Sequence, residues 1–475
     1  MKTFLLIIAL AVAGAYSYAT DLQITNCVFD GSPGNKDNPT LTATLTISWQ
    51  NSWRTDKNYD AAWIFFKVNN PDETRTQRHG FVKKNGHSLI HNYVPNNTNP
   101  VLWVPEDQAG IMVYSDKKYR GLVKWRVKIE LDVTKIQDLN LSANVFASAF
   151  GLEMVHIPQS SFFLGDVNPF AQNNASFYKY GSSDFYEVKS EAAIDVVPVS
   201  GNLYYNNESD AQYRGDAKGP VPTEFPKGFN GFYIMKYELS QGNYVSFLNS
   251  IGQYYTHNRA NFGGRNYTRD RGSIYLEGGK YQTENAQRPA SFLSWDDDCA
   301  FADWAGLRPM TELEFEKAAR GNRKPLSGEF PWGTTSRDKV SRYYDSQNNL
   351  VWESGLDEKD LSDGNLEVFG ASFYWVLDLN KSMWERCVTM GNEKGRSFKA
   401  THGDGRLAQY TGNATNEDWP NGSDGKGGIS YRGGGYYQTG MVGTPKGEVS
   451  ARPYGAWGDG PRDIAYGFRA VRSEK

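Results

Sequence analysis

At 475 residues the chain is long enough for two or more domains, each with a hydrophobic core of its own. Its formal net charge is −3 and it carries no basic arm or stripe, so electrostatics gives no reason to expect a nucleic-acid partner. Aromatic residues make up 14% of the chain and 48 residues are glycine, a composition typical of extracellular proteins rich in strands and loops.

Residues 1–19 have the pattern of a cleavable secretory signal. Lys2 precedes the apolar run FLLIIALAVAGA, and the small residues Ser17 and Ala19 follow it. The alternative is a short membrane helix, but the run is shorter than the roughly 20 residues needed to span a bilayer. The sequence therefore predicts a mature chain with no transmembrane segment that is secreted, periplasmic or displayed on the cell surface.

Residues 20–150 alternate between apolar and polar side chains in the manner of β-strands. Examples are LTATLTISW, AAWIFFKV and GLVKWRVKIELDV, and turn clusters such as DGSPGNKDNP separate them. Because no helical periodicity lies between these runs, we expect an antiparallel β-sandwich of immunoglobulin-like type. A second domain is predicted to begin at residue 151 and to continue to residue 475.

The most informative stretch of the second domain is RPASFLSWDDDCAFADWAGLRPMTELEFEKAARG, residues 288–321. Ser294 is placed to cap a first helix, and Gly306 is placed to end it. Thr311 and Glu314 have the spacing of a capping box for a second helix. The stretch therefore predicts a pair of short helices joined by a turn.

Other motifs surround this helix pair. They are MVHIPQSSFFLGD from Met154, GFYIMKYELSQGNYVSFLNS from Gly231, FPWG from Phe330, FYWVLDLNKSMWERCVTMG from Phe373, YRGGGYYQ from Tyr431 and GFRAVR from Gly467. Over residues 151–472 their order resembles the formylglycine-generating-enzyme family, also called sulfatase-modifying factor. The resemblance implies a loop-rich α+β domain related to the C-type lectin fold. The predicted fold class is α+β, with an N-terminal β-sandwich followed by a formylglycine-generating-enzyme-like domain.

The positions that carry the family's chemistry differ in this chain. Enzymes of the family oxidise a substrate cysteine to formylglycine with two thiolates that hold copper(I), a metal that prefers sulfur ligands. The resemblance places these thiolates after a serine that corresponds to Gly435, at Gln438 and Gly443. No cysteine follows Cys387 in the sequence, so we expect neither copper nor oxidase activity.

The resemblance also implies a structural calcium. In the family the loop of pattern YDMxGNVWE supplies oxygen ligands, which suit this hard cation. Carried over, the ligands are the carboxylates of Asp378 and Glu385 and the backbone carbonyls of Lys381 and Met383. Lys-Ser stands here for the family's Gly-Asn. The alternative is a loop that hydrogen bonds alone hold in place.

Two further expectations follow from the shared motifs. Of the three cysteines, Cys299 and Cys387 both lie in motifs of the same domain, which makes them the candidate disulfide pair. Two buried free thiols are the alternative. Arg432, Arg452 and Arg469 are expected to be structural rather than catalytic.

Together these features predict a secreted protein of the cell envelope or extracellular space that binds partners or has a structural role without catalysis. Its expected partners are envelope or extracellular proteins, or glycans. The candidate ligand-binding residues lie in two glycine-rich runs: Tyr436, Tyr437, Gln438, Tyr454, Trp457 and Asp459. One alternative is a carbohydrate-binding, lectin-like protein, and another is an oxidoreductase of the formylglycine-generating type. The sequence does not decide the role of the insertions 167–229 and 258–287.

Overall fold

The computed structural model describes residues 22–33, 39–70, 78–95, 98–136, 138–140, 143–208, 211–262, 267–268, 270–346, 350–353, 355–380, 382–420, 427–435, 447–458 and 460–474. The secretory signal predicted at residues 1–19 lies outside these ranges. Within them, every helix is too short or too polar to cross a membrane.

The N-terminal half consists of strands, with one short 3-10 turn at Val133–Lys135. The strands are β1 (Gln23–Asp30), β2 (Leu41–Arg54), β3 (Asp60–Asn69), β4 (Arg78–Gly80), β5 (Ser88–Asn92), β6 (Pro100–Trp103), β7 (Ile111–Ser115), β8 (Tyr119–Leu131) and β9 (Phe146–Ile157).

The C-terminal half has short strands and short helices between long loops. The strands are β10 (Phe162–Leu164), β11 (Tyr178–Lys179), β12 (Tyr186–Val188), β13 (Leu203–Tyr204), β14 (Phe232–Met235), β15 (Ile274–Glu277), β16 (Lys280–Thr283), β17 (Arg308–Pro309), β18 (Arg342–Tyr344), β19 (Leu350–Trp352), β20 (Trp384–Val388), β21 (Ile429–Arg432), β22 (Tyr466–Gly467) and β23 (Ala470–Ser473). The helices are α1 (Pro169–Asn173), α2 (Ala211–Arg214), α3 (Gln241–Ser250), α4 (Gln253–Arg259), α5 (Trp295–Trp304), α6 (Glu312–Arg320), α7 (Leu366–Phe369) and α8 (Glu393–Arg396), with a 3-10 turn at Glu358–Asp360.

Two antiparallel sheets face each other in the N-terminal half, which confirms the predicted sheets. One sheet has the order β1-β2-β8-β5, and the other brings β3, β4, β6, β7 and β9 together. On β8, every second side chain from Val123 to Leu131 is buried, and these side chains contact Ile64, Phe66 and Val113 of the opposite sheet in one hydrophobic cluster. The immunoglobulin-like topology stays a prediction.

The second sheet continues into the C-terminal half through β9. This strand pairs along its length with β3, from Asn69 opposite Phe146 to Asp60 opposite Val155. Its last four residues pair with β14, and the sheet order is β17-β23-β14-β9-β3-β7-β6. The boundary predicted at residue 151 therefore falls inside a strand, and it does not separate two sheets. Backbone hydrogen bonds hold the two halves together.

Side chains add to this junction at the end of α5. The indole of Trp63 on β3 donates a hydrogen bond to the carbonyl of Ala305 at 2.8 Å. The guanidinium of Arg472 on β23 lies 4.5 Å from the Trp63 ring centroid and also binds the carboxylate of Asp107. Because these groups are contributed by both halves, the sandwich is docked on the helix pair in one orientation.

The helix pair at residues 288–321 forms as the sequence predicts. Ser294 caps α5 and exchanges hydrogen bonds with Asp297, and Thr311 and Glu314 form the capping box of α6. Gly321, with φ of 68°, ends α6 in a backbone conformation that favours glycine. These caps fix where α6 begins and therefore where its first residue, Glu312, is buried.

A buried carboxylate holds the bend in β2 next to the shared sheet. Asp60 accepts hydrogen bonds from the Trp49 indole at 2.8 Å, the Ser52 hydroxyl at 3.0 Å and the Trp53 amide at 2.9 Å. These donors flank the register shift of β2, where the strand bulges. Burial raises the pKa of Asp60 to about 7, although Lys236 and the Trp49 indole act in the opposite direction.

We expect Asp60→Asn to lower the free energy of unfolding by about 1–3 kcal/mol, the usual cost of leaving a buried polar group without its partner. An amide has one acceptor oxygen for three donors, so one donor is left facing the amide nitrogen. Urea denaturation of the full chain measures the change. The matched control is Asp56→Asn, because the Asp56 side chain is 84% exposed and its ion pair with Lys118 should contribute little. Equal midpoints for Asp60→Asn and the wild type would contradict this role.

Candidate functional site

Six aromatic side chains from five segments of the chain form one cluster, with Trp457 among them. They are Tyr213, Trp384, Tyr431, Tyr454, Trp457 and Tyr466, and we call them the aromatic cluster. The Trp457 ring centroid lies 5.2 Å from that of Tyr454 and 5.3 Å from that of Tyr431, and both pairs are tilted by about 40°. Tyr213, Tyr454 and Trp457 are partly exposed, whereas the other three rings are buried. The cluster therefore presents ring surface on a buried aromatic base.

The base belongs to the three-stranded sheet β21-β20-β22. On β20, the guanidinium of Arg386 lies 5.3 Å from the Tyr466 ring and 5.8 Å from the Tyr431 ring. It donates a hydrogen bond to the Asp298 carboxylate on α5 at 2.9 Å. Burial raises the pKa of Asp298 to about 7, and Arg386 opposes that shift. Since this buried cation already has a carboxylate partner, its charge is neutralised inside the protein beneath the rings.

The carboxylate of Glu312 lies beneath the loop that carries the two partly exposed rings Tyr454 and Trp457. It is fully buried and accepts hydrogen bonds from Arg452 Nε at 2.6 Å and from Arg452 Nη2 at 3.0 Å. It also accepts from the Thr389 hydroxyl at 2.9 Å and from the Met390 amide at 3.0 Å. Burial lowers the pKa of the guanidinium, but the charge of Glu312 outweighs it, so the pKa of Arg452 is raised. Arg452 stays charged and fixes the course of the chain towards Trp457.

Arg452 also attaches the insertion 167–229 to the core. Its guanidinium lies 4.4 Å from the Phe177 ring and 4.3 Å from the Tyr205 ring, and it donates to the carbonyl of Arg214 at 3.3 Å. Arg214 follows Tyr213 in α2, and the Tyr213 carbonyl accepts a hydrogen bond from the Ala456 amide at 2.9 Å. The insertion is thus a folded part of the domain that contributes a ring to the aromatic cluster.

The predicted ligand-binding residues fall into two groups. Tyr454 and Trp457 lie together in the aromatic cluster. Tyr436, Tyr437, Gln438 and Asp459 lie outside the described residues, as does Gly443, the second predicted thiolate position.

Four members of the cluster are not among the predicted ligand-binding residues: the buried Trp384, Tyr431 and Tyr466, and the partly exposed Tyr213. Tyr213 lies in an insertion rich in asparagine and tyrosine, and no local pattern connects it to Trp457. The end of β21, which carries Tyr431, leads through Gly435 to the segment of the predicted thiolate positions. The aromatic cluster is therefore close in the chain to the positions that are catalytic in the enzymes.

The predicted disulfide between Cys299 and Cys387 is not formed. Both cysteines are free and buried, Cys299 on α5 and Cys387 on β20, and they belong to different hydrophobic clusters. Burial raises the pKa of both thiols well above the ordinary value. The alternative of two buried free thiols is the one that the structure shows. Neither thiol has the exposed thiolate character that a copper(I) ligand needs.

The loop predicted to bind calcium is described except for Lys381. Arg342 Nε lies 2.8 Å from Asp378 Oδ1. Glu385 accepts hydrogen bonds from Arg469 Nη2 at 2.8 Å and from Arg469 Nε at 3.0 Å. Both of the predicted carboxylate ligands are therefore engaged by guanidinium groups.

A third carboxylate, that of Glu238, lies beside this loop. It accepts a hydrogen bond from the Met383 amide at 3.0 Å and another from the Ser382 hydroxyl. In the described part of the chain, no three acidic, histidine or cysteine side chains converge in a way that holds a metal ion. As they stand, the carboxylates of this loop do not fit the oxygen-only shell of calcium.

Comparison with known proteins agrees with the motifs. The family described as "Sulfatase-modifying factor enzyme 1-like domain" matches residues 183–474, which is more than half of the chain. The chain belongs to this family. The match includes the helix pair, the aromatic cluster and the insertion from residue 183 onward, and it confirms the predicted family.

The sequence identity to individual relatives is low, between 22% and 27%. The chain is 22% identical to the formylglycine-generating enzyme of Mus musculus over 226 residues, which are 41% of this chain and 58% of the relative. It is 26% identical to the formylglycine-generating enzyme of Thermomonospora curvata over 112 residues, 22% of this chain and 35% of the relative. A third relative, the "Inactive C-alpha-formylglycine-generating enzyme 2" of Mus musculus, is 27% identical over 128 residues, 25% of this chain and 38% of the relative. The matches span between 35% and 58% of the length of these relatives.

We expect Arg452→Met to lower the free energy of unfolding by about 3–5 kcal/mol, because it leaves the buried charge of Glu312 without its main partner. The variant should also expose the insertion to limited proteolysis, since the stacking on Phe177 and Tyr205 is lost. The control is Arg406→Met, whose ion pair with Asp404 is 50% exposed on both side chains and whose loss should cost about 0–1 kcal/mol. Equal losses in the two variants would contradict the role assigned to Glu312.

Proposed function

We propose that this chain is a non-catalytic binding protein of the cell envelope or extracellular space and that it binds glycans at the aromatic cluster. The observation that carries the proposal is the set of three partly exposed rings, Tyr213, Tyr454 and Trp457, held on a buried aromatic base. Aromatic rings that keep part of their surface in solvent can stack on the C–H faces of sugars. Their positions are fixed by Glu312 and Arg452, so little conformational entropy is lost on binding.

We infer the absence of catalysis from the residues at the two positions that the resemblance assigns to the thiolates. Gln438 has an amide and Gly443 has no side chain, and neither offers the sulfur that copper(I) prefers. The thiols of Cys299 and Cys387 are buried, and burial raises their pKa values. A mouse relative that carries the word inactive in its name supports the idea that the fold persists without the reaction.

The location outside the cytoplasm rests on the sequence of residues 1–19, whose apolar run and small residues are typical of a cleaved signal. A location in the envelope or beyond gives the protein access to glycans and to other extracellular proteins. Mass spectrometry of the N-terminus of the mature protein tests the location independently of the ligand.

The test of the proposal is retention on immobilised polysaccharides, followed by titration calorimetry with the oligosaccharide that retains the protein best. Trp457→Ala should weaken binding on the order of tenfold, which corresponds to about 1.4 kcal/mol and is the range of one aromatic contact. The control is Tyr410→Ala, because Tyr410 is 75% exposed and makes no contact with the cluster among the described residues. Thermal unfolding of both variants establishes that they remain folded.

Equal affinity of Trp457→Ala and wild type would show that the aromatic cluster is not part of the binding site. If no polysaccharide retains the wild type, the glycan proposal fails. Crosslinked affinity purification from the native secretome then shows whether the partners are proteins.

A further inference from the structure

Arg342 reaches the predicted calcium loop from outside the shared motifs. It lies on β18, directly opposite Trp352 on β19, and its guanidinium is 4.6 Å from the Trp352 ring centroid. The stacked ring fixes the direction of the side chain, and only 13% of that side chain is exposed. The pairing of β18 with β19 therefore positions the Arg342 guanidinium independently of its contact with a carboxylate.

The carboxylate that this cation meets is that of Asp378. Arg342 Nε lies 2.8 Å from Oδ1, and Nη2 donates to Oδ2 at 3.3 Å, so both oxygens face the guanidinium. Asp378 is 7% exposed and has a φ of 66°, a left-handed conformation that aspartate tolerates better than most residues. Its charge is thus neutralised in the interior by the guanidinium of Arg342.

The second predicted ligand is engaged even more completely. Arg469 uses all five of its N–H donors, two on the carboxylate of Glu385 and three on backbone carbonyls. Arg469 lies in the GFRAVR motif that is similar to the family's, whereas Arg342 lies in none of the motifs. Arg342 therefore contacts this loop from a segment outside those motifs.

We propose that the guanidinium of Arg342 takes the place of the calcium ion that the family resemblance implies, so that the loop 378–385 is held without a divalent cation. Each of the two predicted carboxylate ligands is paired with one guanidinium, a charge of −2 against +2, and the third carboxylate, that of Glu238, is held by the Met383 amide and the Ser382 hydroxyl. All of these partners are groups that the chain itself supplies. A divalent cation would have to displace Arg342 from both Asp378 and Trp352.

The experiment is thermal unfolding of the full chain in calcium chloride and in EDTA. The wild type should unfold within about 1 °C of the same temperature in both, because a ligand that does not bind the folded state does not stabilise it. Arg342→Met leaves Asp378 without its partner and opens the space of the guanidinium. This variant should unfold at a lower temperature than the wild type in EDTA and recover by several degrees in calcium chloride.

The matched control is Arg323→Met. Arg323 lies 5.1 Å from the Phe373 ring and donates to the carbonyls of Pro331 and Trp332, so its loss should destabilise the protein without any response to calcium. In the double variant Arg342→Met, Asp378→Asn the recovery in calcium chloride should disappear. Stabilisation of the wild type by calcium would overturn the proposal, and this comparison remains decisive even if Arg342→Met does not fold. A recovery of Arg323→Met in calcium equal to that of Arg342→Met would overturn it as well.

Discussion

The pairing of Glu312 with Arg452 determines how the candidate site is built. A carboxylate that is fully buried at the start of α6 must be neutralised, and Arg452 supplies that charge through two hydrogen bonds. Once it is held there, Arg452 fixes the loop that leads to Trp457 and stacks on two rings of the insertion 167–229. The aromatic cluster is thus positioned by electrostatics beneath it rather than by the exposed rings themselves. A loop-rich domain gains a defined surface in this way, even though its strands and helices are short.

Other ion pairs inside the domain also join an arginine to an acidic side chain. Arg386 is paired with Asp298 under the aromatic base, Arg469 is paired with Glu385, and Arg342 on β18 is paired with Asp378. Each guanidinium also lies near a ring or donates to backbone carbonyls, which adds contacts to its ion pair. The β-sandwich is part of this construction, because β9 belongs to a sheet that both halves share. The N-terminal half therefore has a fixed orientation to the aromatic cluster, and a partner bound by one half is held at a set distance from the other.

Local signals in the sequence predict local structure well in this chain. The caps Ser294 and Thr311 and the terminal Gly321 predict α5 and α6 because each acts within one helical turn. Alternation along β2 and β8 predicts the sandwich, since burial of every second side chain is visible in one strand. The boundary at residue 151 cannot be placed in this way, because alternation does not show with which strand β9 pairs. Tyr213 and Arg342 are missed for a related reason: their partners are distant in the chain, and no local pattern encodes the contact.

The proposed binding role requires that the chain lack the family's reaction, and activity on a thiol substrate tests this requirement most directly. The full chain is reconstituted with copper(I) and incubated with oxygen and a cysteine-containing peptide, and the peptide is followed by mass spectrometry for conversion of the thiol to formylglycine. With Gln438 and Gly443 at the two metal-binding positions, the chain should give no more product than the same copper without protein. Multiple turnovers above that blank, retained in a variant with serine at Cys299 and Cys387, would show that the chain still catalyses the oxidation and would contradict a purely binding role.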